Sequence, residues 1–234
     1  MFIRKILVSL IPVKKWRRYV RARVLWNNQI IVVENGISKK LSFWQNPKGL
    51  KINIMGRNNL VTIKFPIKLC NSEIFIRSDN TITEIEAKEL RKVNIFYNNG
   101  DCQTCEIKEG TTIYGADIFI EDSNTGVIIG EDCMFSYGIV IRTSDAHSIL
   151  DKDTKKILNF PKGILQIGNH CWVGQNVVIG KNAKLPDNTI VGLAAVVTKP
   201  FIEEYTALGG NPARVIKRNI TWDRKFIFEH QAEN

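Results

Sequence analysis

Long hydrophobic runs are missing from this sequence. No stretch approaches the ~18–20 consecutive apolar residues that a membrane-spanning helix needs, which excludes a multi-span helical membrane protein. Histidine is scarce, with three in 234 residues, so imidazole chemistry has few places to come from. The five cysteines, Cys70, Cys102, Cys105, Cys133 and Cys171, are an odd number in a chain large enough to bury a core without staples. That usage fits a reducing cytosol better than a disulfide framework. No Gly-x-Ser-x-Gly elbow marks a serine nucleophile. Cys102-x-x-Cys105 lacks the second pair that would complete a zinc site. The apolar fraction of 44% and charged fraction of 24% are those of an ordinary globular chain, not a disordered one.

Acidic residues are absent from the start of the chain. Residues 1–33 hold Arg4, Lys5, Lys14, Lys15, Arg17, Arg18, Arg21 and Arg23, and no acid. Without these eight, 25 basic residues face 23 acidic ones, so the net charge of +10 belongs to an N-terminal arm on a nearly neutral body. Ile6, Leu10, Val13, Trp16, Val20 and Val24 recur at intervals of three or four, which predicts an amphipathic basic helix that Pro12 breaks or restarts. Such a helix suits an anionic membrane surface, or packing against a partner subunit. A signal peptide fits poorly: the apolar run is eight residues long, ends in Lys-Lys-Trp-Arg-Arg and lacks a small-x-small cleavage site. No nucleic-acid-binding motif accompanies the charge, so nucleic acid is not an expected partner.

From Ile167 the chain obeys a period of six. Ile167, Val173, Ile179, Leu185, Val191 and Val197 stand six apart, and Cys171, Val177, Ala183, Thr189 and Ala195 follow the first five by four residues. Gly168, Gly174, Gly180 and Gly192 come directly after the aliphatic residue, with Pro186 the exception. Neither an amphipathic helix nor a hairpin has this period. It suits a parallel β-coil in which each hexapeptide forms one side of a triangular turn. The aliphatic residue is expected inside, the residue four later near a corner, and the glycine where unusual backbone angles are needed. The pattern recurs at Ile129, Phe135 and Ile141 and at Ile107, Ile113 and Phe119. Fainter echoes run from Ile54 to Leu60 and from Ile76 to Ile82. Ile141 to Ile167 is not a multiple of six, so an insertion leaves the coil there, with 147–160 reading as a projecting hairpin.

Three segments, Thr143-Ser-Asp-Ala-His-Ser-Ile149, Ile167-Gly-Asn-His-Cys-Trp-Val-Gly174, and Val197-Thr-Lys199 with Gly210-Asn-Pro-Ala-Arg-Val-Ile216, resemble the hexapeptide-repeat acyltransferases. The Ser-Asp-x-His-Ser-Ile loop and Ile220-Thr-Trp-Asp-Arg224 are most similar to capsule and lipopolysaccharide O-acetyltransferases, including those acting on sialic acids. The resemblance implies an all-β chain folded as a left-handed parallel β-helix. Residues 1–33 would then be the arm, 34–200 the β-helix with an inserted loop at 142–166, and 201–234 a coenzyme-contacting segment and tail. Leu193 and Ala195 depart from the smaller residues usual in the family, and Leu193 is expected to narrow the coenzyme groove.

Moving an acetyl group to a sugar hydroxyl requires a base for a weakly acidic proton, and imidazole can accept it near neutral pH. His147 is the one histidine in the insertion. His170 reads as solvated and His230 lies in the tail. Asp145, two residues before His147, is placed to orient it, to contact substrate or to cap the loop. By resemblance, Trp172 lines the thioester channel, the Gln175 amide stabilises the oxyanion, and Leu193, Thr198 and Lys199 follow the pantetheine arm. Arg214 and Lys217 match positions that meet coenzyme A phosphates. Cys171 reads as a core residue rather than an acyl carrier. A β-helix carbonic anhydrase would need three converging histidines that this spacing does not offer, so no metal is expected. The reading is an acetyl-CoA-dependent O-acetyltransferase of a bacterial surface glycan, a homotrimer, cytoplasmic and peripheral at the inner membrane. Its rivals are an N-acetyltransferase of an amino sugar nucleotide and a non-catalytic glycan-binding scaffold.

Overall fold

A computed structural model describes residues 8–14, 16–17, 20–21, 26–42 and 45–232. The chain winds into a parallel β-solenoid of about seven turns. Each turn gives one strand to each of three sheets. Sheet I has eight strands and starts at Gln29–Glu34, sheet II has eight and starts at Lys68–Cys70, and sheet III has seven and starts at Leu50–Ile54. From Leu60–Lys64 to Val196–Val197 successive strands visit the sheets in a fixed rotation, so strand residues stack on their equivalents one coil away: Ile167 on Leu185, Val173 on Val191, Ile179 on Val197.

All eleven hexapeptide positions from Ile167 to Val197 named above are buried. Their branched and compact side chains fill the prism, and at about 25 cal/mol per Å² of apolar surface removed from water this column is the main stabilising element. The N-terminal coils are longer. Ile85, Ile107 and Ile129 stack at intervals of twenty-two residues rather than eighteen. The echoes of the motif are therefore out of phase there. Ile54, Ile76, Ile107 and Ile113 point inward, but Leu60 and Ile82 do not. Phe119 lies on the outer surface of its strand, between buried Ile118 and Ile120.

The repeat glycines serve a purpose other than the expected one. Positive φ falls two residues later, at His170, Asn176, Asn182, Asn188 and Ala194, and at Asn58, Asn80, Cys102 and Asn124 in the longer coils. Asparagine tolerates this left-handed corner, which explains its recurrence. Gly168 and Gly174 are instead needed for close approach. A Cβ on Gly174 would lie 2.9 Å from both the Leu193 nitrogen and the Val191 oxygen of the next coil.

Two further boundaries differ from the sequence reading. Gln29–Glu34 already pairs in parallel with Leu60–Lys64, so the division after residue 33 runs through the first strand. Of the predicted apolar stripe on the arm, Ile6 and Val24 lie outside the described residues. Val20 is buried, as is Val8, while Leu10, Val13 and Trp16 are exposed. At the other end, Thr206–Gly209 joins sheet II in parallel and Arg214–Arg218 closes it as an antiparallel edge.

Candidate active site

The insertion leaves the coil after Ile139–Arg142 of sheet III and re-enters at Ile164–Ile167 of sheet I. It therefore projects from the edge between those two sheets. Its outer half is a hairpin: Leu150 bridges Ile157 antiparallel, and the Leu158 amide donates to the Ile149 carbonyl at 2.8 Å. Its root is fixed to the coil below. The Thr143 hydroxyl accepts from the Glu121 amide at 2.9 Å. The Ser144 hydroxyl donates to Asp122 and accepts from the Ala146 amide. Ala146 adopts φ +64°, an uncommon conformation for a residue with a side chain, directly before His147. His147 lines a cleft of about 310 Å³ with Asp122, Ser144, Ile157, Asn159 and Phe160.

Asp145 does not hold the His147 ring. Its carboxylate accepts from the Lys181 ammonium and from the Asn159 amide (2.8 Å). The same Asn159 amide donates to the His147 carbonyl at 2.9 Å, and the Asn159 side-chain oxygen accepts from the Ile149 amide at 2.8 Å. Lys181 also donates to the Asn159 carbonyl at 2.9 Å. The bond from Lys181, then that from Asn159, holds the Asp145 carboxyl below its ordinary value, against a smaller opposing effect of burial. Asp145, Asn159 and Lys181 thus brace the backbone of His147. Sequence reasoning missed Asn159 and Lys181. Asn159 lies on the return leg of the hairpin, and Lys181 on the next coil at the same edge, so nothing local in the sequence links them to His147.

The remaining candidates fall elsewhere on the prism. Trp172 is half-exposed on sheet II. Gln175 and Leu193 stand one coil apart on the edge between sheets II and III, and their backbone amides donate to no group among the described residues. Thr198 and Lys199 occupy the edge between sheets III and I, above Lys181. Arg214 and Lys217 sit exposed on the terminal strand. None of these borders the His147 cleft. Within one chain, His147 lies on the edge between sheets III and I, and Gln175 and Leu193 lie on the edge between sheets II and III.

The structure separates Cys102, exposed, from buried Cys105, whose thiol burial pushes up to about 12. Cys171 is buried, and its bond with Cys133 together with burial pushes its thiol far up, which is unsuited to an acyl carrier. His170 is only partly solvated: its ring stacks on Trp222 with centroids 4.4 Å apart. Among the described residues no three metal-binding side chains converge.

No family model matches the sequence. Individual proteins do. A polysialic acid O-acetyltransferase of Neisseria meningitidis is 34% identical over 176 residues, covering 75% of this chain and 80% of that protein. The chain belongs to the hexapeptide-repeat acyltransferases. A polysialic acid O-acetyltransferase of Escherichia coli O1:K1 is 38% identical over 113 residues, 48% of this acyltransferase but 36% of its relative's length. The crystal structure of the polySia-specific acetyltransferase NeuO superposes with a TM-score of 0.64 at 25% identity, covering 80% of this acyltransferase and 95% of that chain. The solenoid of this acyltransferase is the left-handed β-helix of its family.

Proposed function

We propose that this acyltransferase moves an acetyl group from acetyl-CoA to a hydroxyl of a bacterial surface glycan, with a sialic acid polymer as the favoured acceptor. The N. meningitidis relative, similar along most of both chains, carries this reading. His147, exposed in an open cleft on a braced loop, accepts the hydroxyl proton as that oxygen attacks the thioester carbonyl. The unpartnered Gln175 amide donates to the developing oxyanion. The carbon–sulfur bond then breaks and the proton passes from His147 to the departing thiolate. Exposed Arg214 and Lys217 suit coenzyme phosphates, Trp172 forms the wall of the thioester channel, and Leu193, Thr198 and Lys199 follow the pantetheine arm. No step requires a metal.

Both edges can serve one reaction in a homotrimer. Sheet III lies between the His147 edge and the Gln175 edge, and Phe75, Phe96, Phe119, Val140, Val178 and Val196 point out from it, all half-buried. Packing this apolar face around a threefold axis brings one copy's His147 edge to the next copy's Gln175 edge. The basic arm would hold the trimer at the cytoplasmic face of the inner membrane. Among the described residues no helix is long and apolar enough to cross a membrane.

The decisive experiment incubates purified protein with acetyl-CoA and either sialic acid polymer or an amino sugar nucleotide. Release of coenzyme A with ester formation on the polymer alone is expected. Amide formation on the nucleotide instead would overturn the O-acetyl reading, and no turnover with either acceptor would favour a binding scaffold.

A further inference from the structure

The C-terminal tail is tied across sheet II by bonds that the chemistry above does not use. Arg224 donates through Nε to Asp132 (2.9 Å), through Nη1 to Thr112 (3.0 Å), and through Nη2 to the carbonyls of Gly110 and Cys133 (3.1 and 3.0 Å). His170 faces an acceptor at each ring nitrogen, the Asp132 carboxylate at 2.8 Å and the Trp222 carbonyl at 3.2 Å. Trp222 donates through its indole nitrogen to the His170 carbonyl at 2.8 Å, stacks on the His170 ring, and is 7% exposed. Its other neighbour is Trp172, two residues beyond His170 on the outer surface of the same coil, with ring centroids 6.3 Å apart and planes tilted by 46°.

A tail that only covered apolar surface would need neither this many directional bonds nor a guanidinium with four partners. The bonds fix the Trp222 indole on two sides and leave its third against Trp172. Trp172 has a free outer surface, and without that neighbour its side chain could take other staggered orientations.

We propose that Trp222 is a positioning residue for acyl transfer: the latch of Asp132, His170 and Arg224 holds its indole against Trp172 and thereby fixes the wall of the thioester channel. This rests on the channel role proposed for Trp172. The arrangement supplies a hydrogen-bonded support around buried Trp222 of the kind that keeps a functional side chain within a fraction of an ångström of its working geometry.

A double-mutant cycle on the full-length protein tests this, with kcat and acetyl-CoA KM measured together. Trp172→Ala is expected to lower kcat, and Trp222→Ala to lower it by ~10-fold, as misplacement of a contact does. Trp222→Phe, which retains a ring, should restore most of the rate. Combining Trp222→Ala with Trp172→Ala should cost no more than Trp172→Ala alone, because one residue acts through the other. Arg224→Ala frees the tail and leaves the β-helix core intact. It should reproduce the Trp222→Ala loss and move the tryptophan emission to longer wavelength, and it serves if Trp222→Ala does not fold. Losses that multiply in the double variant would overturn the positioning role and leave Trp172 in the channel. A fully active Trp172→Ala would overturn the channel reading and this inference with it.

Discussion

At the residue scale, His147 is the only histidine that borders the cleft on the insertion. His147→Ala should lower turnover by ~10²–10⁴-fold, the usual worth of a general base, with acetyl-CoA binding unchanged. Turnover and calorimetric titration on one preparation check this, and activity within a few-fold of the parent would refute it. Asp145 gives a second residue-scale test. Its carboxyl is held below the ordinary range by Lys181 first and Asn159 next. A depressed native value means that the brace is fully formed above the ordinary carboxylate range and is lost as pH falls through the native value. Lys181→Met should raise the Asp145 midpoint in a carbon-13 carboxyl titration and narrow the acid side of the pH–rate profile. An unchanged midpoint would show that Lys181 does not hold this carboxylate in solution.

At the scale of elements, the arm, the insertion and the C-terminal tail are the segments that the coil does not absorb. The arm is partly packed, with Val8 and Val20 buried and Leu10, Val13 and Trp16 exposed. The Trp26 carbonyl already accepts from the Asn58 amide at 2.8 Å, so a truncation that spares the coil ends at residue 25. If the arm binds membrane as proposed, each of the eight basic residues would contribute up to ~1 kcal/mol toward an anionic lipid surface, less at high salt. Removing residues 1–25 should abolish co-sedimentation with anionic vesicles and leave transfer to a soluble acceptor nearly intact. Undiminished co-sedimentation, or dissociation of the subunits instead, would make the arm a packing element.

At the scale of the whole molecule, the proposed base His147 and the proposed oxyanion donor at Gln175 lie on separate edges of one chain, so the proposed reaction needs a second copy. Light scattering should give about 80 kDa, three times the chain mass. Phe96 stacks on Phe119 at 5.1 Å on the outer face of sheet III. Phe96→Glu places a charge on the face expected to pack at the threefold axis. It should yield a folded monomer with activity reduced by ~10²-fold or more, since a site split between copies loses its alignment. An active monomer would refute both the assembly and the shared site.

The hexapeptide spacing alone determined the triangular coil, its inward column from Ile167 to Val197 and the break at the insertion. Those features depend on residues six apart, and the periodic backbone repeats them in each eighteen-residue coil from Ile167 to Val197. The resemblance of the loop motif brought out His147 for the same local reason, because it stands within seven contiguous residues. Three things waited for the tertiary structure. The phase of the longer coils, which turned Phe119 outward, depends on corner lengths that a six-residue template cannot read. The left-handed corners fell two residues past the repeat glycines, mostly on asparagines, while Gly168 and Gly174 serve close approach to the neighbouring coil. The brace of Asp145 by Lys181, and the latch of Trp222 and Arg224 onto Asp132 and His170, join residues 36 to 92 positions apart. Only the stacking of coils and the return of the tail bring such groups together, because hydrogen bonds depend on distance in space and leave no periodic mark in the chain.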